Sequence, residues 1–345
     1  MNGIWTVVAA IISFAITAIL GKFMIPFLHK LKYGQTILEI GPVWHNKKQG
    51  TPTMGGIMFI IGTVLSAVIC IPLYYIISGL AGKQTIETAV MTTKIFAGLC
   101  MAILFGAAGF LDDYTKVIKK QNKGLSPRQK LILQFAIAIA YLLCIYIVES
   151  RNGGKNITSV SFPFLGSLNF GFFYWIISAV VIVGIVNAVN LNDGIDGLTS
   201  SVTFFASIFY MVISSLLGMF GLSILSAALA GGCLGFLIWN FYPAKVFMGD
   251  TGSLFLGGMI CALGFGTNLH IVLILISFVY ILEMFSVILQ VLYFKYTHGK
   301  RLFKMSPIHH HFEMIGWSET KICTVFSLAV IFFGVISFIF SIYAF

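Results

Sequence analysis

Apolar runs long enough to cross a bilayer recur along this chain from its first residues to its last. A helix needs about 20 residues to span the hydrocarbon core. Runs of that kind lie near residues 3–24, 54–78, 95–111, 131–149, 170–187, 199–217, 222–240, 253–269, 271–293 and 322–344, and no soluble domain of useful size fits between them. Only 9% of the 345 residues are charged, whereas soluble domains carry about 25%. The expected fold is all-α: one polytopic membrane unit over 1–345 with ten transmembrane helices. Glycine and polar residues interrupt the fifth to eighth runs. Gly3 to Met24 has no basic segment before it and no small-residue cleavage site after it, so it reads as a retained span.

Charge sets the expected orientation. Sorted by the loops between runs, all but four of the 21 lysines and arginines fall on one side; Lys83, Lys94, Arg151 and Lys155 fall on the other. Basic loops stay inside, so both termini are expected outside, and four of the five inner loops are basic. The net charge of +10 fits loops facing an anionic leaflet better than a nucleic-acid partner. Two longer outer segments, 79–94 and 150–169, read as loops or a short hairpin. The six cysteines all lie in apolar runs, a placement that favours neither a disulfide framework nor a zinc site.

All five aspartates (Asp112, Asp113, Asp193, Asp196 and Asp250) gather in the inner loops or at the inner ends of spans. A chain with so few charges that collects its aspartates on one face is building a polar site there. In Asp112-Asp113-Tyr114-Thr115-Lys116, Asp112, Lys116 and Lys120 share a face if the helix runs on. Adjacent aspartates point about 100° apart, so they face one site only by serving different partners. Carboxylates beside lysines suit Mg²⁺ and phosphate; a solvated, salt-bridged helix end is the plainer alternative.

The segment Asn187 to Gly197 holds two carboxylates, three asparagines and two glycines at the end of an apolar run. It lacks the spacing of an EF-hand, and a plain turn is its other reading. Asp250, between Gly249 and Thr251-Gly252, opens another run and could present a carboxylate and free amides to a metal-bound phosphate. Phe247 could stack on a planar base or act as an interfacial anchor. Three successive histidines, His309, His310 and His311, cannot easily reach one ion, and they suit positioning or neutralising phosphate better than zinc. Lys47 and Lys48 precede Thr51, Thr53 and a Gly55-Gly56 helix start, which suits an anionic ligand or simple positive-inside anchoring. Glu283 and Gln290 lie seven apart on one face of the ninth run; a structural hydrogen bond is the expected role for Glu283.

Together these motifs resemble the polyprenyl-phosphate N-acetylhexosamine-1-phosphate transferases over nearly the whole chain. Asp112 to Lys116, Asn190 to Gly197 and Phe247 to Ser253 are similar to the family's signatures. Lys48 to Gly56 and His309 to Glu313 resemble the branch acting on UDP-MurNAc-pentapeptide more than the UDP-GlcNAc branch. The resemblance implies that undecaprenyl phosphate attacks the β-phosphorus of UDP-MurNAc-pentapeptide, giving lipid I and UMP with Mg²⁺ required, at the cytoplasmic face of a bacterial plasma membrane. It implies Asp250 as the Mg²⁺ ligand, Asp112 and Asp113 as a catalytic pair and His309 on the phosphate side. Lys48, Asn190, Asp193, Asp196, Asn240 and Phe247 match nucleoside-pocket positions, Lys116 and Lys120 basic positions near the phosphates, and Gln290 the cleft wall. Thr53, His310 and His311 join the expected substrate-binding set.

A UDP-GlcNAc transferase and a secondary transporter are the competing functions. A transporter would place its ionisable residues at the midplane, and the carboxylates here cluster at inner span ends. Packing of small residues in lipid permits a homodimer, but no segment singles itself out.

Overall fold

The computed structural model describes residues 2–30, 48–79, 86–118, 124–152, 157–162 and 166–343. Each of the first eight apolar runs folds as one helix. These are α1 (Asn2–Lys30), α2 (Gly56–Ile77), α3 (Ile86–Ile118), α4 (Pro127–Arg151), α5 (Phe173–Asn192), α6 (Leu198–Leu216), α7 (Phe220–Asn240) and α8 (Gly249–Gly266). The ninth run, read as one span, is instead two helices, α9 (His270–Ile276) and α10 (Phe278–Tyr296), which meet at Ser277. A short α11 (Ile308–Met314) precedes α12 (Glu319–Ile342), the tenth run. Between α4 and α5, strands β1 (Ser159–Phe162) and β2 (Gly166–Asn169) pair antiparallel with Ser159 opposite Asn169, the short hairpin anticipated for 150–169.

Among the described residues, α1 to α7, α10 and α12 are the nine helices long and apolar enough to cross a membrane. The chain is an all-α polytopic membrane protein. Large apolar side chains such as Ile4, Ile11, Phe23 and Phe27 on α1 face outward, as a lipid-facing surface requires.

Helix α8 is the informative exception. It spans 18 residues, opens on the polar sequence Gly-Asp-Thr-Gly-Ser, and is buried from Thr251 to Gly266. Walled in by protein, it needs no lipid-compatible face. Neighbouring helices approach it through small residues, because without a hydrophobic drive between helices in lipid, close packing holds them together. A Cβ on Gly257 would come 2.7 Å from the Cα of Val186 on α5.

Helix α3 shows why the third run, 95–111, underestimates its element. At 33 residues and 1.5 Å per residue it is about 50 Å long, more than the roughly 30 Å hydrocarbon core. It therefore carries Asp112, Asp113 and Lys116 beyond the apolar run on an unbroken helix. Helix α4 starts where Ser126 and Gln129 form a reciprocal capping box, with Pro127 at the first helical position.

Gly257→Leu is expected to cost about 1–3 kcal/mol by overpacking, lowering the thermal unfolding midpoint in detergent. Gly3→Leu, at a position with nothing within 4 Å, should leave the midpoint where it was.

Candidate active site

The first N–H groups of a helix have no partner within it. At α8 that role falls to Asp113, a residue of α3. Its Oδ2 accepts from the Thr251 backbone N–H at 2.9 Å and from the Thr251 hydroxyl at 2.7 Å, and its Oδ1 accepts from the Asp250 N–H at 3.2 Å. A carboxylate at a helix N-terminus also opposes the dipole favourably. Two glycines make the approach possible. Gly249 enters α8 with φ +71°, and a Cβ there would strike the Asp113 carboxylate and the Thr53 hydroxyl; a Cβ on Gly109 would lie 2.1 Å from the Asp250 carbonyl oxygen.

With its backbone held by Asp113, Asp250 presents its side chain to three other elements. Its Oδ1 accepts from Asn190 Nδ2 on α5 at 2.8 Å, and its Oδ2 pairs with Lys116 at 3.0 Å and Lys130 on α4 at 2.9 Å. Asn190 also donates to the Ser253 hydroxyl at 2.7 Å. Asp112 faces a different partner from its neighbour, accepting from the Leu125 N–H at 2.8 Å and pairing with Lys116 at 2.6 Å. Carboxylate oxygens of Asp112, Asp113 and Asp250 lie within 4.8 Å of one another. Hard oxygen donors so closely set suit a hard divalent cation such as Mg²⁺. Both oxygens of Asp113 are engaged by α8, whereas Oδ2 of Asp112 and Oδ2 of Asp250 are paired with lysine ammonium groups that a cation can displace; those two residues are the ones fitted to hold one.

A second cluster lies around Lys48. Its ammonium sits 2.6 Å from both Asp196 and Glu319, the first residue of α12. Glu319 also accepts from the Asp196 N–H at 2.9 Å, and Asp196 accepts from the Ala244 N–H at 2.8 Å. Burial works against the Lys48 charge, but the two carboxylates outweigh it and raise its pKa above the ordinary lysine value. Asn240 ends α7 and accepts from the Gly197 N–H at 3.2 Å and the Ser200 hydroxyl at 3.3 Å, while donating to the Val246 carbonyl at 2.9 Å. Phe247 is half-buried, and its backbone pairs with Pro52 and Gly55 at 2.8 and 2.9 Å, tying the segment before α2 to the segment before α8. Asp193 caps the C-terminus of α5. Burial, then repulsion from Asp250, Asp113 and Asp196, pushes its carboxyl well above the usual range.

The three histidines diverge. His309 is fully buried with Nδ1 3.1 Å from Glu283; His310 Nδ1 lies 2.6 Å from Glu313; His311 Nδ1 accepts from the Lys304 N–H at 3.2 Å. Glu283 thus has the hydrogen bond anticipated for it. Gln290, placed on a cleft wall by the resemblance, is buried and accepts from the Leu302 and Phe303 N–H groups at 3.2 and 2.8 Å.

The segment 190–197 joins these clusters. Asn190 reaches Asp250, Gly194 packs on His309, Asp196 holds Lys48 and Gly197 meets Asn240. Lys120, expected on the Asp112 face, lies outside the described residues. Lys130 and Glu319 were missed as site candidates. Each had a signal: Lys130 follows the capping box of α4, and Ser318-Glu319 opens α12 with a cap and an acidic first turn.

The model for glycosyl transferase family 4 matches residues 95–268, from α3 into the turn after α8, and phospho-N-acetylmuramoyl-pentapeptide-transferase signature 1 matches 48–60. The phospho-N-acetylmuramoyl-pentapeptide-transferase of Clostridium perfringens (strain 13 / Type A) is 46% identical over 333 residues, covering 96% of this chain and 97% of its own. Relatives of the same name from Geobacillus sp. (strain WCH70) and Desulforamulus reducens are 44% and 42% identical, covering 93% and 95% of this chain and 93% of each relative.

Asp113→Ala leaves buried N–H groups at the start of α8 without an acceptor, at a cost of about 1–3 kcal/mol. Asp112→Ala removes one backbone acceptor and a half-exposed lysine partner. Thermal unfolding in detergent should therefore rank Asp113→Ala as the more destabilised of the two.

Proposed function

Because this chain belongs to the phospho-N-acetylmuramoyl-pentapeptide-transferase family of phosphoglycosyl transferases, we propose that it moves phospho-MurNAc-pentapeptide from UDP-MurNAc-pentapeptide to undecaprenyl phosphate. A lipid phosphate oxygen forms the new bond to the β-phosphorus. The bond from that phosphorus to the bridging oxygen breaks, so lipid I forms and UMP leaves. The observation that carries this reading is the buried carboxylate cluster of Asp112, Asp113 and Asp250, faced by Lys116 and Lys130.

Each cluster then has a role. Asp250 and Asp112 would hold Mg²⁺, which when bound would supply charge neutralisation at phosphoryl oxygens. Asp113 sets the position of Asp250 through the α8 backbone. Lys116 and Lys130 attract the diphosphate and the lipid phosphate to the same place, supplying alignment and electrostatic stabilisation. Lys48, Asp196, Asn240 and Phe247, with Thr53 and Asp193 nearby, form the nucleoside side of the site, and His309 serves the phosphate side.

A phosphate monoester has a second pKa near 6, so it is mostly dianionic at neutral pH, and Asp112 has little proton to remove. Alignment of two anions favours direct attack over a covalent phospho-sugar enzyme; trapping a substrate-derived adduct on an aspartate would overturn that preference. The distribution of basic residues supports a site on the cytoplasmic face of a bacterial plasma membrane and, with the enclosed α8 as a tenth crossing, both termini outside. The signature over 48–60 favours UDP-MurNAc-pentapeptide over UDP-GlcNAc.

Purified protein in detergent should release UMP only with UDP-MurNAc-pentapeptide, undecaprenyl phosphate and Mg²⁺ together. EDTA should abolish release, and Asp250→Asn should lower kcat by about a hundredfold or more. Release with UDP-GlcNAc in place of the MurNAc substrate would move the chain to the sister branch. Glu319→Gln, which weakens a charged contact to Lys48, should raise KM for the UDP substrate by about tenfold, with kcat retained.

A further inference from the structure

Glu283 and His309 form an isolated buried pair. Both are 0% exposed, and Glu283 Oε1 lies 3.1 Å from His309 Nδ1. The remaining polar atoms of the pair, His309 Nε2 and Glu283 Oε2, are buried without a hydrogen-bond partner among the described residues. A buried imidazole nitrogen left unpaired carries an uncompensated desolvation cost, so an unpartnered Nε2 marks a position built for a partner.

Its direction is set by Gly194. A Cβ there would stand 2.1 Å from His309 Nε2, so the ring nitrogen lies against the glycine backbone and any side chain would displace it. Gly194 belongs to the segment whose Asn190 holds Asp250 and whose Asp196 holds Lys48. The open nitrogen is therefore turned toward the segment that connects the carboxylate cluster to the Lys48 cluster.

We infer that Glu283 is the positioning residue of this site, holding the proton on His309 Nδ1 so that Nε2 faces the reacting phosphates. This rests on the transferase reading proposed above. A carboxylate only accepts, so the imidazole nitrogen facing it carries hydrogen. Nε2 is then free to take up a proton and donate it to a phosphate oxygen, and the Glu283 charge stabilises the imidazolium so formed. The bond spans 26 residues of sequence, from α10 to α11, so it also sets the ring's orientation. Gln290, two turns along α10, holds the backbone of the loop leading to α11 through Leu302 and Phe303.

The test combines ¹⁵N NMR of histidine-labelled protein with steady-state kinetics, assigning the His309 signals by their loss in His309→Gln. Wild-type His309 should show a protonated Nδ1. In Glu283→Ala that preference should disappear, and kcat should fall about ten- to hundredfold, the scale on which a carboxylate orients an imidazole, with KM for the UDP substrate unchanged. Glu283→Gln, similar in shape but uncharged and able to turn an amide N–H toward Nδ1, should lose both the Nδ1-protonated preference and the rate while keeping the wild-type unfolding midpoint. A wild-type Nδ1 without hydrogen would overturn the inference, as would a folded Glu283→Ala protein with wild-type kcat. So would loss of kcat and KM together, alongside a lowered unfolding midpoint and an unchanged His309 tautomer. If Glu283→Ala does not fold, the wild-type and Glu283→Gln spectra decide. Absence of UMP release by the wild type would defeat the proposed function, while the NMR result would still judge the pair.

Discussion

The start of α8 is the point on which the rest of the site depends. A helix enclosed by protein cannot satisfy its first N–H groups with water, so another element must. Asp113 does so from α3, through two backbone bonds and one hydroxyl bond. Charge-assisted bonds of this kind are roughly twice as strong as neutral ones. The cap fixes the register between the two helices at the place where Asp250 leaves the backbone. The Asp250 side chain is then directed to α4, the end of α3 and α5 at once. The adjacent aspartates do different work: one organises a helix, and the other shares Lys116 with Asp250.

Charge at this depth survives only where it is paired. Lys116 and Lys130 converge on one oxygen of Asp250, and Lys48 lies between two carboxylates. The segment 190–197 threads through these groups, contributing a side chain or a backbone atom to each. Glycine is required at Gly194, where His309 packs, and at Gly197, which takes φ +76° as α6 begins. The clusters are thereby coupled through one short stretch of backbone, so a shift in that stretch would move Asp250, the Lys48 pair and the histidine together.

Much of the architecture was legible in the sequence because helix formation is local. Each backbone bond in a helix closes within four residues, so apolar length alone located the membrane helices. The run at 271–293 was the exception. Its apolar composition continues through Ser277, and nothing in that composition distinguishes one helix from the two that form there. The gathering of aspartates at span ends was equally visible, since so few charges are present that their position is informative.

Which partner each charge takes was decided by the tertiary structure. Asp113 and Thr251 are 138 positions apart, and Lys48 and Glu319 are 271 apart; pairing over such separations depends on how helices pack, which no local period encodes. For that reason the sequence could say that Asp112 and Asp113 serve different partners but not which partners, and neither Lys130 nor Glu319 stood out. By itself the sequence determined that this chain is a bundle of membrane helices with its aspartates at one set of ends. Only the fold decided that one carboxylate caps α8, that another two pair with lysines, and that Glu283 meets His309, because those outcomes follow from close packing between distant helices.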